Sequence, residues 1–257
     1  MDLERWLVIY NSIASRLSLD PSKDQDAALE LFRLLSLKTP LPEISLRSKI
    51  SGKIAVVYGA GPSLDEGLRM ILESGFSGRL IHLVADGASS AFLECGKVPD
   101  IIFTDLDGPA ADLTRSCSAG AWLVVHAHGD NIPLLRGLVP GLGCPILGST
   151  QVHPIPPHVL NFGGFTDGDR AAYWAEELGA SGVVLVGMDF GDEIGRRSKP
   201  RLQGERLKLK LEKLKIGREL VSALAAENRI FSLKAGRSSV PNVIPIGIGE
   251  LAEMVKG

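Results

Sequence analysis

This chain has few cysteines, no excess of charge of either sign, and no long apolar run near its start. Its three cysteines, Cys95, Cys117 and Cys144, are odd in number and none forms a C-x-x-C pair. That argues against a structural zinc site and a disulfide framework, and makes a reducing cytoplasm the natural setting. The 28 Lys and Arg against 30 Asp and Glu leave a formal net charge of −2. No global field therefore points to nucleic acid or an anionic membrane as a partner. Met1-Asp2-Leu3-Glu4-Arg5-Trp6 is charged at once, so neither a signal peptide nor a membrane anchor is expected. Internal repeats and low-complexity tracts are missing as well. Oligomeric state is left open.

What is present is a set of five apolar runs, each ending at a small, polar or acidic residue. Ile54–Tyr58 runs into Gly59-Ala60-Gly61-Pro62-Ser63, Leu80–Val84 into Asp86-Gly87, and Ile101–Phe103 into Thr104-Asp105-Leu106-Asp107-Gly108. Trp122–Val125 leads to His126-Ala127-His128-Gly129-Asp130-Asn131, and Val183–Gly187 to Asp189-Phe190-Gly191. β-Branched runs of this length suit strands buried on both faces, as in a parallel sheet. Amphipathic stretches at Leu64–Leu72, Ala88–Cys95 and Gly168–Leu178 alternate with them, which predicts a doubly wound, mostly parallel α/β sheet with helices on both faces. In such a sheet the carboxyl ends of all strands share one edge, where ligands bind. Five polar clusters converge there.

The flanks read differently. Helical spacing through Trp6, Ile9, Ile13 and Leu17, and again through Ala27, Leu31 and Leu34, predicts a helical cap over residues 1–50 with a break at Asp20-Pro21-Ser22. Residues 51–257 form the α/β domain. Within it, Arg196–Lys215 holds nine basic and two acidic residues. Leu207, Leu211, Leu214, Val221 and Leu224 share one face of this basic carboxyl-terminal helix, a lid or surface helix over 196–227. The stretch from Pro140 to Pro157 is expected to be loop with one short strand near Pro145–Leu147.

Several of these residues can carry chemistry. Gly59, Gly61 and Ser63 lie between strand and helix, where backbone amides meet phosphate, although no Gly-Lys-Ser/Thr follows to make a P-loop. A tight turn capped by Ser63 would look the same. Asp105 and Asp107, two apart in extended backbone, would present both carboxylates to one cation, and hard oxygen ligands suit magnesium. Turn chemistry is the alternative. Thr166-Asp167-Gly168-Asp169-Arg170 precedes a helix, so one aspartate can cap it while the other, with Arg170, is left for metal or phosphate. His126 and His128 lack a third histidine or a cysteine nearby, which favours hydrogen bonding to substrate over zinc. Asp86 and Asp189 are single acids at strand ends, turn residues or ligand contacts alike.

Taken in order, Ala85-Asp86-Gly87-Ala88, Thr104–Gly108 and Phe165–Ala171 resemble the acidic motifs of the thiamin pyrophosphokinase-like fold. With Gly59–Leu64, His126–Asn131 and Gly187–Gly191 added, the chain looks like the archaeal 6-hydroxymethyl-7,8-dihydropterin pyrophosphokinase family. The resemblance implies transfer of diphosphate from ATP to a small reduced pterin, with Mg2+ as cofactor and AMP released. It implies Asp105, Asp107, Asp167 and Asp169 as catalytic residues, Asp105 and Asp107 being metal ligands. Gly59, Gly61, Ser63, Asp86, His126, His128, Asp130, Arg170, Asp189, Lys199, Lys208 and Lys210 are the implied substrate and nucleotide contacts. Three other readings remain: a nucleotide-sugar-dependent transferase, a thiamin pyrophosphokinase, and a non-catalytic nucleotide-binding module. Helix and short strands after Asp189, in place of a β-sandwich, weigh against thiamin.

Overall fold

A computed structural model describes residues 2–198, 202–234 and 240–256. The chain opens with three helices: α1 (Leu3–Leu17), α2 (Pro21–Ser36) and α3 (Glu43–Ile50). Asp2 caps α1 through the Arg5 amide, and Asp20 caps α2, whose first residue is the proline. The predicted break at Asp20-Pro21-Ser22 is thus a helix junction. Helix α3 was not foreseen, because its eight residues carry only Leu46 and Ile50 as buried positions.

Five strands fall where the apolar runs place them: β1 (Ile54–Tyr58), β2 (Ile81–Ala85), β3 (Ile101–Thr104), β4 (Trp122–Ala127) and β7 (Gly182–Val186). The short strand expected in the Gly- and Pro-rich stretch is β5 (Ile146–Thr150), and an unforeseen two-residue strand, β6 (Val159–Leu160), follows just after that stretch. Strands β8 (Ile230–Leu233) and β9 (Ile244–Ile246) follow later, and the sheet order is β6-β5-β4-β3-β2-β1-β7-β8-β9. Every ladder between these nine strands is parallel. Because β8 and β9 extend the same sheet, no separate β-sandwich follows Asp189 among the described residues. The order reverses between β1 and β7, and the crevice at this switch point is where ligands bind in such sheets.

Alternate residues of each strand feed opposite layers. On one face Val57, Leu83 and Phe103 pack with α1, α3, α8 (Asp167–Glu177) and α9 (Gly204–Glu227). On the other, Val56 and Val84 meet α4 (Leu64–Glu73), α5 (Asp86–Glu94) and α10 (Ile248–Lys256). Farther along that face Ile102 and Val125 pack with α2, α6 (Ala110–Ser118) and α7 (Ile132–Leu138). The expected double winding is present. Trp6 and Tyr10 of α1 are buried in the main core.

One expectation here needs correction. Cys117 and Cys144 form a disulfide with Cα atoms 5.1 Å apart, leaving Cys95 free and exposed. The odd count hid a pair whose members lie 27 positions apart but end side by side, at the end of α6 and just before β5. Cysteine usage therefore offers no argument for a reducing compartment. In α9, burial begins only at Ile216 and continues through Gly217, Leu220, Val221 and Leu224. Leu207, Leu211 and Leu214, on the same expected face, are half-buried. Among the described residues, no helix is long and apolar enough to cross a membrane.

Candidate active site

The strand ends enclose a crevice of about 640 Å³. Its floor is glycine packed on glycine. The Gly59 and Gly61 amides donate to the Val186 and Gly187 carbonyls at 2.9 and 2.8 Å. A Cβ at Gly59 would stand 2.8 Å from the Gly187 oxygen, and one at Gly195 would stand 2.7 Å from the Gly61 carbonyl carbon. These glycines let three loops approach backbone to backbone. Gly187 itself sits at φ +63, where a side chain would be strained. The Ser63 amide at the start of α4 donates to Asp189 Oδ2 at 3.0 Å. A carboxylate therefore holds the helix amino end that a phosphate would otherwise favour.

Strand β2 passes directly into α5, which makes Asp86 the first helical residue. Its buried carboxylate accepts from Thr104 Oγ1 at 2.5 Å and from the Gly108 amide at 3.2 Å. Burial first, then the charges of Asp105 and Asp107, push its pKa up to about 6 against the opposing Thr104 bond. The β3 end is not extended as expected. Leu106 adopts φ +68, buries its side chain in the core, and donates its amide to Thr104 Oγ1 at 2.8 Å. With the middle residue turned inward, Asp105 and Asp107 both face outward. Oxygens of Asp86, Asp105 and Asp107 lie within 4.8 Å of one another, a set able to hold a metal ion.

Asp105 is braced from the next strand. His128 Nε2 lies 3.5 Å from its Oδ2, and Asn131 Nδ2 donates to the carbonyls of Asp105 and His126 at 2.9 and 2.7 Å. Burial raises the Asp105 pKa, but the His128 contact and the bond from Asp107 outweigh it and hold the carboxyl well below its usual range. On α8 the two aspartates part ways. Asp169 is fully buried and takes the Phe165 amide at 2.5 Å, the Thr166 amide at 2.9 Å and the Thr166 hydroxyl, a capping box. Asp167 faces the crevice and accepts from Arg170 Nη1 at 3.0 Å. A fifth of its side chain meets solvent, yet burial and then the Asp105 charge push its pKa well above the usual value despite Arg170.

A model of the family described as "6-hydroxymethylpterin diphosphokinase MptE-like" matches residues 35–195, more than half of the chain. The protein belongs to this family. A 6-hydroxymethyl-7,8-dihydropterin pyrophosphokinase of Methanocaldococcus jannaschii is 37% identical over 246 residues, covering 91% of this chain and 100% of that protein. A protein of the same name from Pyrococcus furiosus is 42% identical over 234 residues, 89% of this chain and 96% of the other. Among solved structures, the MAf glycosyltransferase from Magnetospirillum magneticum is 18% identical with a TM-score of 0.49. The match covers 77% of this chain but only about a third (34%) of that one.

The stretch shared with the MptE-like family takes in every strand-end cluster and stops before the basic helix. Gly59, Gly61, Asp86, Asp105, Asp107, His126, His128, Asp130, Asp167, Arg170, Asp189 and Lys210 all line the crevice. Asp169 and Ser63 do not, the first spent on its cap and the second reaching Asp189 through its backbone. Lys208 points elsewhere and pairs with Glu205 at 2.8 Å, and Lys199 lies outside the described residues. Sequence reasoning missed Asp24 and Gln151, and gave Arg196, Arg197 and Lys213 only as part of the basic segment 196–215. Asp24, Gln151 and Lys213 line the crevice, as do Arg196 and Arg197, which Asp65 holds at 2.9 and 2.8 Å. The one available signal for Asp24 was an acid on the apolar stripe of α2, three and seven residues before Ala27 and Leu31.

Proposed function

We propose that this MptE-like protein transfers diphosphate from ATP to the hydroxymethyl group of 6-hydroxymethyl-7,8-dihydropterin in the cytoplasm, for a reduced-pterin cofactor of folate or methanopterin type. The observation that carries the reading is the trio Asp86, Asp105 and Asp107, whose oxygens meet at the strand ends of a member of a pterin diphosphokinase family. The donor set fits magnesium: three carboxylates, no sulfur, and an edge open enough for water and phosphate oxygens. Gly108 fits as well, since its missing side chain leaves room for the Asp86 carboxylate. Bound there, magnesium would neutralise charge on the triphosphate.

The remaining work falls to the chain. The hydroxymethyl oxygen attacks the β-phosphorus in line, the bond from β-phosphorus to the α–β bridging oxygen breaks, AMP departs with that oxygen, and the hydroxyl proton passes to water. Such transfers depend on positioning and charge. Asp105 and Asp107, with Asp86, would hold the metal. Asp167, fixed by Arg170, completes the metal and nucleotide side, with Asp169 setting the start of α8. The Gly59–Ser63 turn and Asp189 shape the nucleotide floor, while His126, His128 and Asp130 line the acceptor side. Lys210 and Lys213 approach phosphate from the amino half of α9. Residues 1–50 act as a cap on the 51–257 domain, and the part of 196–227 before Ile216 acts as a basic lid. Arg197, bonded to Asp65 and Glu94, anchors its near end. Incubation with magnesium, ATP and the pterin, followed by separation of nucleotides, should give AMP. ADP as the product would overturn diphosphate transfer.

A further inference from the structure

At the inner end of the crevice, buried polar atoms lack partners. His126 is 2% exposed and Arg170 is 2% exposed, yet His126 Nε2 and Arg170 Nε make no hydrogen bond. Both residues line the crevice. Arg170 has already committed its other nitrogens, Nη1 to Asp167 at 3.0 Å and Nη2 to the Phe165 carbonyl at 2.8 Å. His126 uses Nδ1 on Ser149 Oγ at 3.0 Å, and Gln151 lies close to its ring without completing a bond at Nε2. Leaving such a group unsatisfied costs about 1–3 kcal/mol. Both residues line the one crevice, so a ligand seated there that drew the two groups toward it would satisfy both.

Beside them stands a buried carboxylate with spare capacity. Asp24 of α2, 5% exposed, accepts the Gly129 amide at 2.7 Å, Gln151 Nε2 at 2.8 Å and the Tyr10 hydroxyl. A carboxylate offers about four lone-pair positions, so one remains. Trp6 Nε1 donates to the Gln151 carbonyl at 2.9 Å, which fixes Gln151 between Asp24 and His126. The set therefore presents one acceptor at Asp24, one donor at Arg170 Nε, and one nitrogen at His126 that donates or accepts according to its tautomer. Burial, then the Arg170 charge, holds His126 well below its usual pKa, and a neutral ring keeps that choice. Leu19 and Phe165 add apolar wall.

We propose that Asp24, His126 and Arg170 form the subsite that reads the polar edge of the acceptor heterocycle, with Asp24 selecting for its 2-amino group. The proposal rests on the pterin reading above and assigns that site its specificity residue. A 2-amino-4-oxopteridine presents neighbouring 2-amino and N3–H donors beside its O4 acceptor. Asp24 takes a donor, and the Arg170 Nε–H meets the carbonyl oxygen. An acceptor with oxygen in place of the 2-amino group sets acceptor against acceptor at Asp24. Sites built to bond a polar group reject the analogue lacking it strongly.

The test compares 6-hydroxymethyl-7,8-dihydropterin with its 2-oxo analogue as acceptors. Wild-type protein should prefer the amino compound at least tenfold in binding, read by tryptophan fluorescence, and in kcat/KM. Asp24→Asn should raise KM for the pterin at least tenfold while KM for ATP stays within about threefold, and it should narrow the preference. Tyr10→Phe removes a bond to the same carboxylate from outside the crevice, and should lower stability without changing the preference. Equal binding of the two acceptors by wild-type protein overturns the proposal, with no variant needed. So does an Asp24→Asn protein that keeps both pterin KM and preference while still releasing AMP, a result that leaves the pterin reading intact. A wild-type protein that neither binds nor uses the pterin overturns both.

Discussion

Replacing Gly108 by alanine tests the carboxylate cluster without touching a charged residue. A Cβ there would stand 2.6 Å from Asp86 Cγ and 2.7 Å from Oδ2, whereas ordinary contact begins near 3.4 Å. The carboxylate or the loop must yield by roughly 0.8 Å at the point where Asp86 meets Asp105 and Asp107. A displacement of about 1 Å in a positioning group can cost on the order of a hundredfold in rate, or ~2.7 kcal/mol of transition-state stabilisation. The fold has less to lose. Gly108 is outside the left-handed region, so alanine adds no backbone strain, and only the Thr104 and Gly108 bonds to Asp86 are weakened. Destabilisation of about 1–2 kcal/mol is expected, and for a chain of this size it lowers Tm by about 2–8 °C. Initial rates across a magnesium titration, with calorimetry alongside, separate the two effects. A Gly108→Ala protein with kcat/KM within about threefold of wild type would refute the placement of Asp86 at the reacting centre.

Asp107→Asn should lower turnover by about a hundredfold or more at unchanged Tm, since metal neutralisation is worth several kcal/mol; near-normal turnover in the folded variant removes it from the metal site. Opening the Cys117–Cys144 bridge with reductant should destabilise the protein by about 3.5 kcal/mol from loop closure over 27 residues. Activity at 25 °C should hold, because the bridge lies at the sheet edge opposite the crevice, and denaturant midpoints with and without reductant decide it. Proteolysis between Arg196 and Lys210 should slow when magnesium and a non-hydrolysable ATP analogue are added; equal cleavage with and without them makes the segment a plain surface helix.

The sheet was legible because its strands are buried on both faces and therefore apolar throughout, so β1, β2, β3, β4 and β7 stand out as runs. Strand β6 has two residues and β9 leaves Ile244 exposed, and neither leaves a periodic trace. Helix α6 buries only Leu113, Ser116 and Cys117, and α7 only Leu135, so neither presents a run of apolar residues to mark it. At the site, strand-end position put Asp105 and Asp107, as a metal pair, and Asp86, as a nucleotide or substrate contact, on one edge, and the oxygens of all three lie together there. The local reason was different. The turn at Leu106, where Thr104 caps the Leu106 amide, aims the acids, and no extended backbone is involved. Thr166-Asp167-Gly168-Asp169 was ambiguous in sequence because either acid could serve the helix start; packing gives that task to Asp169. Asp24 and Gln151 were invisible since their meeting joins residues 127 positions apart.

The central claim is that both terminal phosphates of ATP move together. ATP labelled separately at the β- and γ-phosphorus, incubated with magnesium and 6-hydroxymethyl-7,8-dihydropterin, tests this in one chromatogram. The account predicts that both labels appear in the pterin product in equal amounts, with unlabelled AMP beside it. Label from the γ position alone in the pterin, with the β label retained in ADP, would contradict it.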